Sequence, residues 1–142
     1  MKKYKTGAGV IVYKIENNVT YILSLEGPLD HQKRLKGKWD FPKGIIENEE
    51  STLDCAIRET FEEADYMVSK GDIISGPFQV SKCFMYLAPY DNIQIPKVKR
   101  NPMTGILEHQ NCQWVSVEKL SVEAYDWLRP FVSWATSVIN AA

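Results

Sequence analysis

Glu59, Glu62 and Glu63 fall at i, i+3 and i+4 in the run Arg58-Glu59-Thr60-Phe61-Glu62-Glu63, the spacing at which helical side chains become neighbours. Crowded carboxylates at that spacing repel by about 0.2–0.5 kcal/mol per pair, and Arg58, four residues before Glu62, offsets only part of it. A cation would complete the set. Oxygen-only donors suit a hard divalent ion, Mg2+ first with Mn2+ as a substitute, and Mg2+ retains several waters and bridges carboxylates to phosphates. Taken alone, the same glutamates also describe a solvated acidic face, the commoner fate of surface carboxylates.

The pattern around them is longer. Gly44 is followed after five residues by Glu50, and Glu50 after seven by Arg58-Glu59, with Glu62-Glu63, Asp65 and Tyr66 beyond. This resembles the Nudix box, G-x5-E-x7-R-E-U-x-E-E-x-G-U with U apolar, and every charged position of the box is present. Three positions depart from it: Thr60 stands at an apolar site, Asn48-Glu49 replaces a common Pro-Gly, and Asp65 replaces the last glycine. The last departure bears on the backbone. A glycine there ends the helix with positive φ, which Asp adopts at a cost of about 1 kcal/mol, so a strained or reshaped turn is expected.

The resemblance extends through residues 7–14 (GAGVIVYK), 39–44 (WDFPKG) and 108–114 (EHQNCQW), and is most similar to the asymmetric diadenosine tetraphosphate hydrolases. It implies the Nudix fold, an α/β/α sandwich with a central mixed sheet. It also implies metal-dependent hydrolysis of a nucleoside diphosphate linked to another moiety, diadenosine tetraphosphate giving ATP and AMP. The roles it implies put Gly44, Glu59, Glu62, Glu63 and Glu108 around Mg2+, with Arg58 orienting a glutamate and Glu50 supporting the helix start. Lys43 and Lys36 are then candidates for substrate phosphate, and Trp39, Phe84 and Tyr86 for a base. Glu108 stands outside the box. One helix face cannot surround an ion, so a carboxylate from a second segment would close the shell, or take the proton of the attacking water.

These groups need a scaffold. Residues 7–15 and 20–25 are rich in β-branched and aromatic side chains around Glu16-Asn17-Asn18, which predicts a hairpin. Residues 27–44 carry glycines, prolines and a cluster of lysines, and read as a basic loop without regular structure. From Asn48, a candidate cap, to Ala64 the pattern is helical, with Leu53, Ala56, Ile57, Thr60 and Ala64 on one face. Strands are expected over 72–75, 78–87 and 112–115, and a closing helix near Pro130 burying Phe131, Trp134, Ala135 and Val138. The residues alone therefore predict one α+β domain over 1–142 with a mixed sheet between helices.

Composition bounds the function. With 142 residues, 44% hydrophobic and a net charge of -1, the chain suits an ordinary globular domain and not a protein that coats DNA or anionic lipid through its overall field. No apolar run reaches the roughly 20 residues of a membrane span. The lysines before the first apolar run imitate a signal peptide, but that run is interrupted by Tyr13 and Lys14. Cys55, Cys83 and Cys112 lack metal or disulfide spacing, which suggests reduced thiols and a cytoplasmic setting. His31 and His109 form no zinc pattern, and no GxxxxGK[ST] loop is present. The partner expected is a small nucleotide. The basic segments 33–38 and 97–100 leave an RNA 5′ end open, as the box leaves ADP-ribose open. From another class, a silent nucleotide-binding sensor is suggested by the altered helix end alone.

Overall fold

The computed structural model describes residues 5–142; the lysines at positions 2 and 3 lie outside that range. Strand β1 (Gly7–Glu16) and β2 (Val19–Glu26) form the expected hairpin. Its two turn residues, Asn17 and Asn18, both have positive φ, 51° and 64°, the backbone a tight two-residue hairpin requires and asparagine tolerates. Then follow helix α1 (Leu29–Arg34), the short strands β3 (Trp39–Asp40) and β4 (Lys43–Ile45), and helix α2 (Thr52–Ala64). Strands β5 (Ser75–Val80) and β6 (Cys83–Pro89), strand β7 (Asn111–Ser116), and helices α3 (Val117–Glu123) and α4 (Arg129–Ala141) complete the chain.

The seven strands form one mixed sheet in the order β3-β2-β1-β6-β5, with β4 on β1 and β7 on β2. β1 and β6 are parallel from Gly7 to Tyr13, and the remaining pairs are antiparallel. The other edge of β1 is divided: β2 takes Tyr13–Glu16 and β4 takes Gly7–Gly9. Gly9 permits this fork, because a Cβ there would fall 2.1 Å from the Pro42 carbonyl oxygen.

Both faces of the sheet are covered, so Val10, Ile11 and Val12 are all buried although strands alternate sides at every residue. Ile11, Met85 and Leu87 pack with Phe131, Val132, Ala135 and Ile139 of α4, while Val10, Val12, Tyr86 and Ala88 pack with Cys55, Ala56 and Ala64 of α2. The α/β/α sandwich implied by the resemblance is therefore the observed fold. No helix among the described residues is long and apolar enough to cross a membrane, and the three cysteines are free thiols.

Several local expectations need correction. α2 begins at Thr52, because the Ser51 hydroxyl, not Asn48, accepts the Asp54 N–H at 3.0 Å; Asn48 sits in the preceding turn with φ 50°. Leu53 and Ile57 flank the buried stripe, and Cys55 joins it. Thr60 fits its apolar site by donating its hydroxyl to the Ala56 carbonyl at 2.7 Å. The strand expected over 72–75 is not formed, since Lys70–Asp72 make a single 3-10 turn and β5 begins only at Ser75. The single strand expected over 78–87 is broken at Ser81-Lys82 into the hairpin of β5 and β6, where Ser81 takes φ 53° without glycine or asparagine. Residues 27–44 contain α1, β3 and the start of β4, too short for periodicity to register. α4 buries Phe131 and Ala135 as expected but adds Val132 and Ile139, leaving Trp134 and Val138 half-buried at its flank.

Candidate active site

Arg58 is the hub of the box. Its Nε and Nη2 donate to the two oxygens of Glu50 at 2.8 and 3.0 Å, and Nη1 donates to Glu59 at 2.8 Å and Glu62 at 3.0 Å. Nη2 also donates to the Ile45 carbonyl at 3.1 Å, tying the helix to β4. One planar fork thus holds three carboxylates that would otherwise repel, a geometry lysine cannot reproduce. The hydrogen bonds from Arg58 hold the Glu50 carboxyl below its ordinary range, while at Glu59 burial outweighs Arg58 and pushes the carboxyl up.

Glu63 lies apart from that fork. Its Oε1 accepts the backbone N–H of Lys43 at 3.0 Å, and burial pushes its carboxyl up to about 8 against the pull of His109 and Lys43. Beneath it, Asp40 accepts from Lys43 Nζ at 2.8 Å through one oxygen and contacts His109 Nε2 at 3.0 Å through the other. Burial alone would raise the Asp40 carboxyl, but Lys43 and His109 overcome it and hold it down at about 2. Burial opposes charge on His109 as well, and the hydrogen bond to Asp40 prevails, raising its basicity. Sequence reasoning missed this network. Its one signal was Asp40 and Lys43 three residues apart in WDFPKG.

Glu59, Glu62 and Glu63 line one pocket of about 1000 Å³, and Glu108 and His109 reach it from the segment on its far side. Glu108 is exposed and accepts a hydrogen bond from Asn101 Nδ2 at 3.3 Å. Gly44 forms part of the wall, and a Cβ on it would stand 2.0 Å from the Glu59 carboxylate. That cradle and an oxygen-only donor set fit a hard divalent cation. Among the described residues no three His, Cys, Asp or Glu side chains converge on one point, since Arg58 draws Glu59 and Glu62 toward itself.

The expected substrate contacts lie elsewhere. Lys43 turns its ammonium onto Asp40, 5.4 Å from the Trp127 ring, as a counter-ion to Asp40 at the wall of a second pocket. Lys36 is exposed, and its carbonyl accepts from Arg129 Nη2 at 3.0 Å. Trp39 is only 2% exposed and belongs to the core under α3 and α4. Phe84 packs half-buried on the α2 side, and the Tyr86 hydroxyl is hydrogen-bonded to Thr52 Oγ1 at 2.6 Å, fastening the start of the box helix. Buried aromatics fill cores before they serve ligands, and these three do so. This second pocket, of about 480 Å³, shares Gly44, Ile45 and Lys5 with the first and is lined further by Trp127, Val80 and Lys82; the sequence did not single it out.

The fold and this site define a Nudix hydrolase domain. The chain belongs to the Nudix family, whose NUDIX domain model matches residues 3–135. A putative nudix hydrolase 1 of Caenorhabditis elegans is 27% identical over 124 residues, 86% of this chain and 33% of that protein, so the chain spans about a third of that relative's length. The crystal structure of a C. elegans Ap4A hydrolase binary complex superposes with TM-score 0.71 at 20% identity, over 98% of this chain and 100% of that one. The NUDIX domain of Shewanella oneidensis NrtR complexed with ADP ribose superposes with TM-score 0.69 at 14% identity, over 98% and 90%. Likeness at such identities is likeness of fold.

Proposed function

We propose that the chain is a Mg2+-dependent pyrophosphohydrolase cleaving a nucleoside diphosphate linked to another moiety, with diadenosine tetraphosphate, going to ATP and AMP, as its substrate. The observation that carries the reading is the pocket itself, which box carboxylates and Glu108 line from separate segments. Glu59, Glu62 and Glu63 would hold the ion, with Glu108 approaching from the other side. Bound Mg2+ would screen polyphosphate from these carboxylates and acidify a coordinated water. Water attacks a phosphorus, the P–O–P anhydride bond breaks, and the displaced phosphate leaves as an anion. Arg58 keeps Glu59 and Glu62 in register throughout.

The adjoining pocket supports a substrate with a second bulky end. The Trp127 ring offers a flat apolar face, with Lys5 and Lys82 at the same pocket, so a base can lie there while phosphates cross Gly44 into the acidic side. The resemblance to the Ap4A hydrolases supports the same choice. A panel of nucleotides incubated with Mg2+, with products separated by chromatography, should give ATP and AMP from diadenosine tetraphosphate. Two molecules of ADP, or a tenfold preference in kcat/KM for ADP-ribose or triphosphorylated RNA, would remove the substrate assignment and leave the reaction. No turnover of any member would favour the sensor.

Glu108 has two roles to choose between. A Glu108→Gln variant should raise the Mg2+ concentration needed for half-maximal rate if the carboxylate is a ligand. If it is the base that takes the proton of water, kcat should fall by about 100-fold or more at unchanged metal dependence. Normal kcat together with a normal Mg2+ titration would return Glu108 to the solvated surface.

A further inference from the structure

Asp65, in the place of the box glycine, is not explained by the catalytic reading. It closes α2 in the left-handed conformation, φ 53° and ψ 40°, with its N–H donating to the Phe61 carbonyl at 3.0 Å. Glycine does this without the penalty that a side chain brings, which turns attention to what the carboxylate contacts. It does not reach into the pocket. Asp65 Oδ1 lies 3.3 Å from Lys99 Nζ, and Oδ2 lies 3.9 Å from Lys97 Nζ. The Lys99 ammonium also sits 3.7 Å from the centroid of the Phe61 ring, one turn back on the same helix. The Lys97 N–H donates to the Ala64 carbonyl at 2.9 Å, so the segment after Pro96 is stitched to the helix end by backbone as well.

That segment is a wall of the catalytic pocket. Val98, Lys99, Asn101 and Glu108 all line it, facing the glutamates of α2. Between them the chain makes a tight loop closed by Asn101 N–H to Ile106 O and Gly105 N–H to Asn101 O, both 2.8 Å, and Asn101 Nδ2 holds Glu108. Asp65, two residues after Glu63, is thus paired with Lys99, and two residues further along the same wall Asn101 holds Glu108.

We infer that Asp65 is a positioning residue that clamps the 98–108 wall against the box helix through Lys99, setting Glu108 and the width of the pocket for substrate. The inference rests on the catalytic reading above. It makes Lys99 the principal partner and Lys97, the longer and more exposed contact, the lesser one.

The test uses Asp65→Gly, Asp65→Asn, Lys99→Gln and the double variant Asp65→Asn/Lys99→Gln. Asp65→Gly restores the box residue and should leave Tm unchanged or higher, because the strained turn is relieved as the clamp is lost. Without any nucleotide present, amide hydrogen exchange over 98–108 should quicken by about three- to fivefold in each variant, while amides of residues 55–60 keep their rates; a partly exposed ion pair with a ring contact is worth about that much. With substrate, kcat/KM should fall by about the same factor in each single variant. The double variant should lose clearly less than the product of the two single losses, since both changes break the Asp65–Lys99 pair and differ only in the Phe61 and Lys97 contacts. Unchanged exchange over 98–108 would overturn the inference and leave Asp65 a helix cap. Additive losses in the double variant would overturn it too, as would quickened exchange with unchanged kcat/KM. A wild-type protein that turns over no nucleotide would refute the catalytic reading instead, and the exchange and its coupling to Lys99 would still decide whether the clamp exists.

Discussion

Glu63→Gln should lower kcat by at least about 100-fold at saturating Mg2+ while the protein remains folded, because under the proposed mechanism the change removes a charged metal ligand and keeps its shape. The amide still accepts the Lys43 N–H through its oxygen, so the local backbone is held as before. A second readout follows from burial. Without metal the folded chain keeps Glu63 protonated up to about 8, whereas its ordinary value is 4.5. Between those values the folded state binds one proton more than the unfolded state. The stability that this group contributes is therefore complete below pH 4.5 and lost as pH rises through about 8. Glutamine stays neutral at every pH, so urea titrations of the metal-free variant should lose that slope between pH 5 and 8. Near-normal kcat in the purified variant would remove Glu63 from the ligands.

Arg58→Met should cost about 2 kcal/mol of stability and at least tenfold in kcat. The side chain is partly exposed, so the loss falls below the 3–5 kcal/mol of a fully buried ion pair, but three carboxylates lose their common partner at once. Arg58→Lys preserves charge without the fork and should recover less than half of either loss. Denaturant midpoints and steady-state rates measure both. If lysine restores full activity, the bidentate grip on Glu50 with its arm to Glu59 and Glu62 has no catalytic consequence, and Arg58 is a counter-ion only.

The box was legible because its chemistry is local: Arg58 and the glutamates meet on one helix, where spacing in the chain is spacing in space. The hairpin of β1 and β2 was legible for the same reason, through Asn17-Asn18. Contacts across the chain were not. Asp40 and His109 are 69 residues apart, and nothing in either neighbourhood announces the 3.0 Å contact between them. The aromatic assignments to Trp39 and Tyr86 went to the core because chemical type says what a ring can do and burial decides what it does. Thr60 and Asp65 were visible as departures, yet their meaning depended on the Ala56 carbonyl and on Lys99.

The fork in β1 gives the two sides of the cleft different tempos. On one side Gly44 and the Lys43 amide that holds Glu63 belong to β4, a strand seated on the central strand of the sheet by the close approach at Gly9. Opening that side requires β4 to part from the central strand as well as from the box helix, so it costs more than opening the other. On the other side the wall from Val98 to Glu108 hangs on a few ion pairs and a small loop, the kind of structure that opens locally at little cost. On the proposed reading, substrate would enter and leave by movement of the second side while the carboxylates of the first keep their spacing, so exchange of ligand and spacing of the metal-binding carboxylates would be governed by separate parts of the chain.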